Sequence, residues 1–270
     1  MSAPSATVPD SAAASNAKAF WDETLRQKTL PVIDPAAFYE NWRFTKRAFL
    51  DRLGDPAGKR VLEVGCGNGH LSMYMAKLGA HVTATDFSTT SIEQLAPLAE
   101  KNGVADRVVG HQCDALDLRE LLDGGGEPYD LVYGKYILHH VEPFDQFADV
   151  LRDVTAEGGR GVFLENNGRN PLLNFSRTYL AGRGGIPKHG DDDEIPLLPE
   201  EIEMLRARFP HVEVLHPDFV FFRKLNTYVF KHQAKYGRLL KLTKDIDQAL
   251  WRTVPPVRKY SYYQIVEFAR

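Results

Sequence analysis

A chain of 270 residues, 43% hydrophobic and 26% charged, carries enough apolar material for a full core, with room for one large domain and a small cap. Its net charge of −3 and pI of about 6.3 supply no global field for a polyanion, so nucleic acid is not expected as a partner. No run approaches the roughly 20 apolar residues of a membrane span, and two cysteines, Cys66 and Cys113, make no disulfide framework; a small-molecule partner and a reducing cytoplasm are the expectations.

Residues 1–17 are small and polar, with neither the basic start nor the apolar centre of a targeting peptide. Too little surface can be buried there to offset the entropy of ordering, so a disordered tail is expected, with folding from Lys18. From Phe20 to Leu53 aromatics recur at partly helical spacing: Phe20, Trp21, Phe38, Tyr39, Trp42, Phe44 and Phe49. Two helices are expected, a cap over residues 18–53. Its aromatics either pack on the domain behind them as core or face a substrate, Tyr39 and Trp42 being the members to suspect.

The run Val61-Leu62-Glu63-Val64-Gly65-Cys66-Gly67-Asn68-Gly69 is an apolar strand that delivers an acid and three alternating glycines. Glycine lets the backbone turn sharply and approach a ligand, and the following residues open a helix whose first N–H groups point the same way. A dinucleotide fingerprint would need glycine at position 70, which is His70; this speaks against an NAD-linked oxidoreductase. The run resembles motif I of the class I S-adenosyl-L-methionine (SAM) dependent methyltransferases. The resemblance implies that Glu63 lies near the methionine ammonium, that Gly65, Gly67 and Gly69 lie against the cofactor, and that S-adenosylhomocysteine is the product.

Three further matches follow in order. His81 to Asp86 reads as a second strand, and its acid falls where a carboxylate holds ribose hydroxyls, with Phe87 beside it; the alternative is an acid capping the helix that begins near Ser88. Arg107 to Ala115 holds a third strand followed by Asp114 and Ala115. By the resemblance Asp114 accepts from the adenine amino group, and otherwise it is a capping acid. Tyr129 to Val141, with its ending Leu138-His139-His140-Val141, resembles motif IV, which implies that Gly134 and Lys135 line the methionine end of the pocket.

Asp145 to Thr155 is helix-like, Gly158-Gly159 breaks it, and Gly161 to Glu165 is a fifth strand. Polar Glu165, Asn166 and Asn167 follow, where ligands of open α/β sheets bind. Residues 168–199 read as an irregular lid insertion, with a short helix at Asn170–Phe175, a hinge at 182–185 and an acidic loop at 191–194. His189 with those acids reads as a solvated charge run, so no metal is expected. Glu200 to Phe209 is an amphipathic helix, His211 to Leu215 a sixth strand and Tyr260 to Phe268 a seventh. Between them a helical segment over Val220 to Arg252 bears Lys224, Lys231, Lys235, Arg238, Lys241 and Lys244, either a solvated face or one that meets an anionic acceptor or membrane surface.

The expected fold is therefore α/β, a Rossmann-like seven-stranded sheet with helices on both faces, over residues 54–270, plus the helical cap. That the sheet is mostly parallel, with the last strand antiparallel between the fifth and sixth, is what the resemblance implies. Methyl transfer needs a nucleophile held in line with the S–CH3 bond, and a hydroxyl or ammonium acceptor also needs a base. His139, His140 and Glu165 are the candidates, with Tyr133 and Tyr136 as rivals and Lys135 as an anchor for an acceptor carboxylate. Tyr39, Trp42, Tyr136 and Asn166 are the expected substrate contacts. A thiolate or thioether acceptor needs no base. A non-catalytic SAM-binding scaffold is the alternative from another class, and the intact turn with Glu63, Asp86 and Asp114 argues against it.

Overall fold

The computed structural model describes residues 22–26, 29–42, 44–175, 179, 195–224 and 237–270. The expected tail, the hinge at 182–185, the acidic loop with His189, and Lys231 and Lys235 lie outside the described residues. Seven strands form one sheet: β1 (Arg60–Val64), β2 (His81–Asp86), β3 (Val108–Gln112), β4 (Tyr129–Lys135), β5 (Thr155–Asn166), β6 (His211–Leu215) and β7 (Tyr263–Ala269). Their order is β3-β2-β1-β4-β5-β7-β6, with β7 antiparallel to both neighbours and the other pairs parallel.

Alternation along the strands sorts side chains onto two faces. Val61, Val82, Ala84 and Leu131 join one buried cluster with Phe49, Leu71, Met73 and Met75 from the helices Thr45–Leu53 and His70–Lys77. Leu62, Val64 and Val132 join the other with Phe144, Phe147 and Leu151 of the helix Phe144–Val154. In that helix the apolar residues recur at i, i+3, i+4 and i+7, so one stripe is buried, and each such large side chain contributes about 1.5–3 kcal/mol.

Two boundaries differ from expectation. The fifth strand starts at Thr155, before the glycine pair: the Thr155 hydroxyl closes the preceding helix by donating to Leu151 O at 2.6 Å, and Gly158 at φ 75° puckers an otherwise continuous strand. The seventh begins at Tyr263, because residues Pro255–Tyr260 wind into a 3₁₀ turn. Of the long basic segment, the helix Gly237–Thr253 is described.

The helix Thr45–Leu53 is tied to the sheet by charge. Arg52 on the helix Thr45–Leu53 donates to Glu267 of β7 at 2.6 Å and Glu213 of β6 at 2.8 Å, while Arg160 of β5 reaches Glu267 at 3.0 Å and Leu53 O at 2.6 Å. Upstream, Asn102 at the end of the helix Thr89–Asn102 accepts from Ile33 N and donates to Pro31 O, docking the entering chain.

Candidate active site

Successive strands fill the sheet leftward from β1 to β3 and then rightward from β4, so the crevice beyond the ends of β1 and β4 is the topological switch point, where ligands of such sheets bind. Val64 pairs with Gly134 at this mouth. A side chain at Gly134 would meet Val64 O at 2.8 Å and the Ile137 side chain at 2.6 Å, so the two strand ends close together only around a glycine.

Beyond β1 the chain curls through Gly65, Gly67 and Gly69 at φ 69°, 52° and 70°. At Gly67 the left-handed turn aims its N–H at Asp86, whose second oxygen accepts from Ser88 N, at 2.8 and 2.9 Å. The cap of the following helix is Ser88 itself, accepting from Ser91 N, which displaces the capping alternative for Asp86. Burial pushes the Asp86 carboxyl above its ordinary range, against the pull of these amides. Asp114 does cap: it accepts from Leu116 N at 2.9 Å and is exposed at the end of β3, with Ala115 half-buried behind it. Phe87 is half-buried, its carbonyl accepting from Gln112.

Glu63 lies on the same sheet face as Val61 and pairs in register with Tyr133. It accepts from the hydroxyls of Ser72 and, at 3.3 Å, Tyr133. Burial pushes its carboxyl up to about 7, against the pull of Ser72, Lys135 and Tyr133. Tyr133 is fully buried and its phenol is pushed well above the usual range, so it serves as a donor and not as a base. Ser72 is the partner that sequence reasoning missed; a hydroxyl in the otherwise apolar buried run Leu71 to Ala76 was its signal.

At the β4 exit Tyr136 holds φ 58°, a left-handed conformation rare for an aromatic residue and of the kind that collects at functional sites. This bend turns the amides of Ile137 and Leu138 onto Glu165 Oε1, both at 2.8 Å, while Glu165 Oε2 meets His139 Nδ1 at 2.5 Å. Glu165 and the His139 ring are buried, so Glu165 braces the turn and cannot reach solvent as a base. His140 is exposed, its ring 4.1 Å from that of His139.

Of the expected substrate contacts, Tyr136 lies 6.0 Å from Tyr263, ring to ring, and Trp42 lies under the Lys135 ammonium at 5.4 Å. Tyr39 is turned to other partners: its hydroxyl donates to Asp51 at 2.7 Å and Arg47 covers its ring. Asn166 is half-buried, its carbonyl accepting from Leu197 N. Nothing in the sequence pointed to Asp22 and Leu25, which reach the glycine turn from the N-terminal segment. Asp22 accepts from Ser88 Oγ and Thr90 N, and Leu25 stands where a Gly67 side chain would come within 3.6 Å.

This donor set fits SAM. A buried carboxylate suits its ammonium, a second at the adjacent strand end suits its ribose, and the turn offers no cradle for a pyrophosphate. Among the described residues no group of three or more His, Cys, Asp or Glu side chains is placed to hold a metal.

Fold and site together define a Rossmann-like enzyme that binds a nucleoside cofactor. Residues 61–159 match the model of a methyltransferase domain family. The chain is 28% identical over 190 residues to a ubiquinone biosynthesis O-methyltransferase of Aeromonas salmonicida, covering 69% of this chain and 73% of that one. It is 35% identical over 128 residues to the mitochondrial enzyme of that name from Schizosaccharomyces pombe, covering 46% and 41%. Its fold is similar to a geranyl diphosphate C-methyltransferase from Streptomyces coelicolor (TM-score 0.57, 14% identity, 97% and 98% covered). It is also similar to an N-methyltransferase from Bradyrhizobium japonicum in complex with S-adenosyl-L-homocysteine (TM-score 0.55, 12% identity, 94% and 98% covered). Residues 61–159 thus carry a methyltransferase domain, and the fold around them is that of the methyltransferases just named. No described helix is long and apolar enough to cross a membrane.

Proposed function

We propose that this chain O-methylates a hydroxyl of a small molecule, with SAM in the crevice between β1 and β4 and the acceptor over the β4 exit. SAM supplies an electrophilic methyl on a sulfonium that becomes a neutral thioether once the methyl has left. The observation that carries the reading is the buried Glu63, paired in register with Tyr133 across β1 and β4 just before the glycine turn, its carboxyl pushed up to about 7 by burial. The O-methyltransferase names of the two relatives favour oxygen as the attacked atom.

In this reading Glu63 holds the methionine ammonium and Asp86 the ribose hydroxyls. Asp114, Ala115 and Phe87 border the adenine, and Gly134 and Lys135 the methionine end. Trp42, Tyr136 and Asn166 border the acceptor, with Tyr39 supporting the cap helix from outside. His140 accepts the proton of the acceptor hydroxyl, and Glu165 acts through His139 by fixing the turn that carries both histidines. Residues 18–53 serve as the cap, and the free thiols of Cys66 and Cys113 suit a reducing cytoplasm.

Calorimetric titration of S-adenosylhomocysteine, with NAD as control, tests the cofactor half. Micromolar affinity is expected, weakened at least tenfold by Asp86→Ala, with no heat from NAD. Binding of NAD, or an unchanged affinity in the variant, would overturn it. Mass spectrometry of catechols incubated with enzyme and SAM then tests the attack on oxygen.

A further inference from the structure

Cations converge on the acceptor side of the crevice from four separate elements. Lys135 ends β4, with its ammonium 5.4 Å from the Trp42 ring centroid. Lys224 lies 4.3 Å from the ring of Tyr262, just before β7, and 5.2 Å from that of Tyr263, which opens it. Lys46 follows Phe44 on the first turn of the helix Thr45–Leu53, close enough to feel the charges of both other lysines. Arg223 and Lys244 cover the Phe44 ring at 4.4 and 4.8 Å.

Among the described residues Lys46 and Lys135 have no carboxylate within 4 Å. Glu63 attracts Lys135 from farther away. Like charges gathered in a half-buried place repel one another and lose hydration. Loss of hydration lowers the proton affinity of both Lys46 and Lys135, and at Lys46 the charges of Lys135 and Lys224 lower it further. An oxyanion set among them would offset both costs.

Two further observations mark the place. Among the described residues the non-glycine positions with positive φ are Phe44 at 53° and Tyr136 at 58°, one two residues before Lys46 and the other next to Lys135. Strain of this kind persists where the surroundings hold it for a purpose. Aromatic rings stand beside these lysines, Trp42 at Lys135 and Tyr263, paired with Tyr136, at Lys224, so an apolar body attached to the anion has surface to lie against.

We propose that Lys135 and Lys46, with Lys224 beside them, seat the carboxylate or phosphate of an anionic acceptor, whose apolar body lies between Trp42 and Tyr263. Lysine suits this as a compact point charge that needs no fixed fork geometry. The proposal deepens the methyltransferase reading and rests on it.

The test uses the full chain saturated with S-adenosylhomocysteine, titrated with three probes that share one ring: benzoate, phenyl phosphate and neutral benzyl alcohol. One of the anions is expected to bind at least tenfold more tightly than the alcohol, and which of them does so separates carboxylate from phosphate. Lys46→Met and Lys135→Met should each remove about tenfold of that preference, and Lys46→Arg should restore it. A sharp melting transition by circular dichroism serves as the fold check, and the exposed Lys46→Met keeps the test open if Lys135→Met fails it. Anions that bind no better than the alcohol, or a preference that survives both substitutions, would overturn the proposal. Failure of the wild-type chain to bind S-adenosylhomocysteine would instead sink the methyltransferase reading beneath it.

Discussion

Glu63 behaves as a proton-linked contact for the cofactor. In the folded chain its carboxyl sits at about 7, above the ordinary 4.5, because burial disfavours its charge. A group raised in this way binds more protons folded than unfolded, so its contribution to stability declines as pH rises from 4.5 through 7. A bound ammonium favours the carboxylate and has the opposite sign. Affinity for S-adenosylhomocysteine is therefore expected to rise through pH 7 and to weaken, by up to about tenfold per unit, below it. In Glu63→Gln that dependence should flatten, and calorimetry between pH 5.5 and 8 reads it; an equal slope in both proteins would remove Glu63 from the ammonium site. The acid itself was legible in the sequence, because a carboxylate before three alternating glycines is chemically odd for a buried strand. Its partners were less so. Tyr133 follows from period-two alternation only once β1 and β4 are known to be neighbours, and Asp22 stands in a segment whose docking on Asn102 and Ser88 no local pattern encodes. Glu165 misleads in the other direction: a polar residue at a strand end suggests a base, and the bend at Tyr136 spends it on backbone amides.

Among the helices, Gly237–Thr253 has an uncommon interior. Its buried residue is an acid, Asp247, which accepts from the amides of Phe221, Phe222 and Arg223 at 2.9 to 3.4 Å. Burial raises its carboxyl and the amides pull it back down. Through Asp247 the helix positions the segment that bears Lys224. Asp247→Ala leaves those donors without their partner and is expected to cost about 1–3 kcal/mol in urea unfolding, together with a weaker hold on the anionic probes. A variant as stable as wild type would show that water replaces the carboxylate. The basic face of this helix was legible as a charge pattern, whereas its inward acid was not, because one Asp among Lys and Leu at helical spacing reads as a surface residue. Boundaries failed where tertiary pairing outweighs local composition: the glycine pair at 158–159 reads as a break, yet it forms an irregularity inside a strand that pairs with β4 and β7 from Arg160 on.

For the whole molecule, motifs at the ends of four strands placed the sheet and its crevice, because every parallel strand must deliver its carboxyl end to the same edge. What they left open was the acceptor wall, assembled from residues far apart in sequence: Trp42, Lys46, Lys135, Lys224 and Tyr263. The position of β7 has a consequence in time. β6 pairs with β7, and β7 in turn bridges β6 to β5, so β6 has no seat until residues 263–269 emerge from the ribosome. A chain stopped at residue 262 is expected to lose its sharp melting transition by circular dichroism, and equal melting of both lengths would refute this. The cofactor turn is translated early and the last aromatic wall of the acceptor pocket late, so during synthesis the donor's half of the site is older than the half that chooses what is methylated.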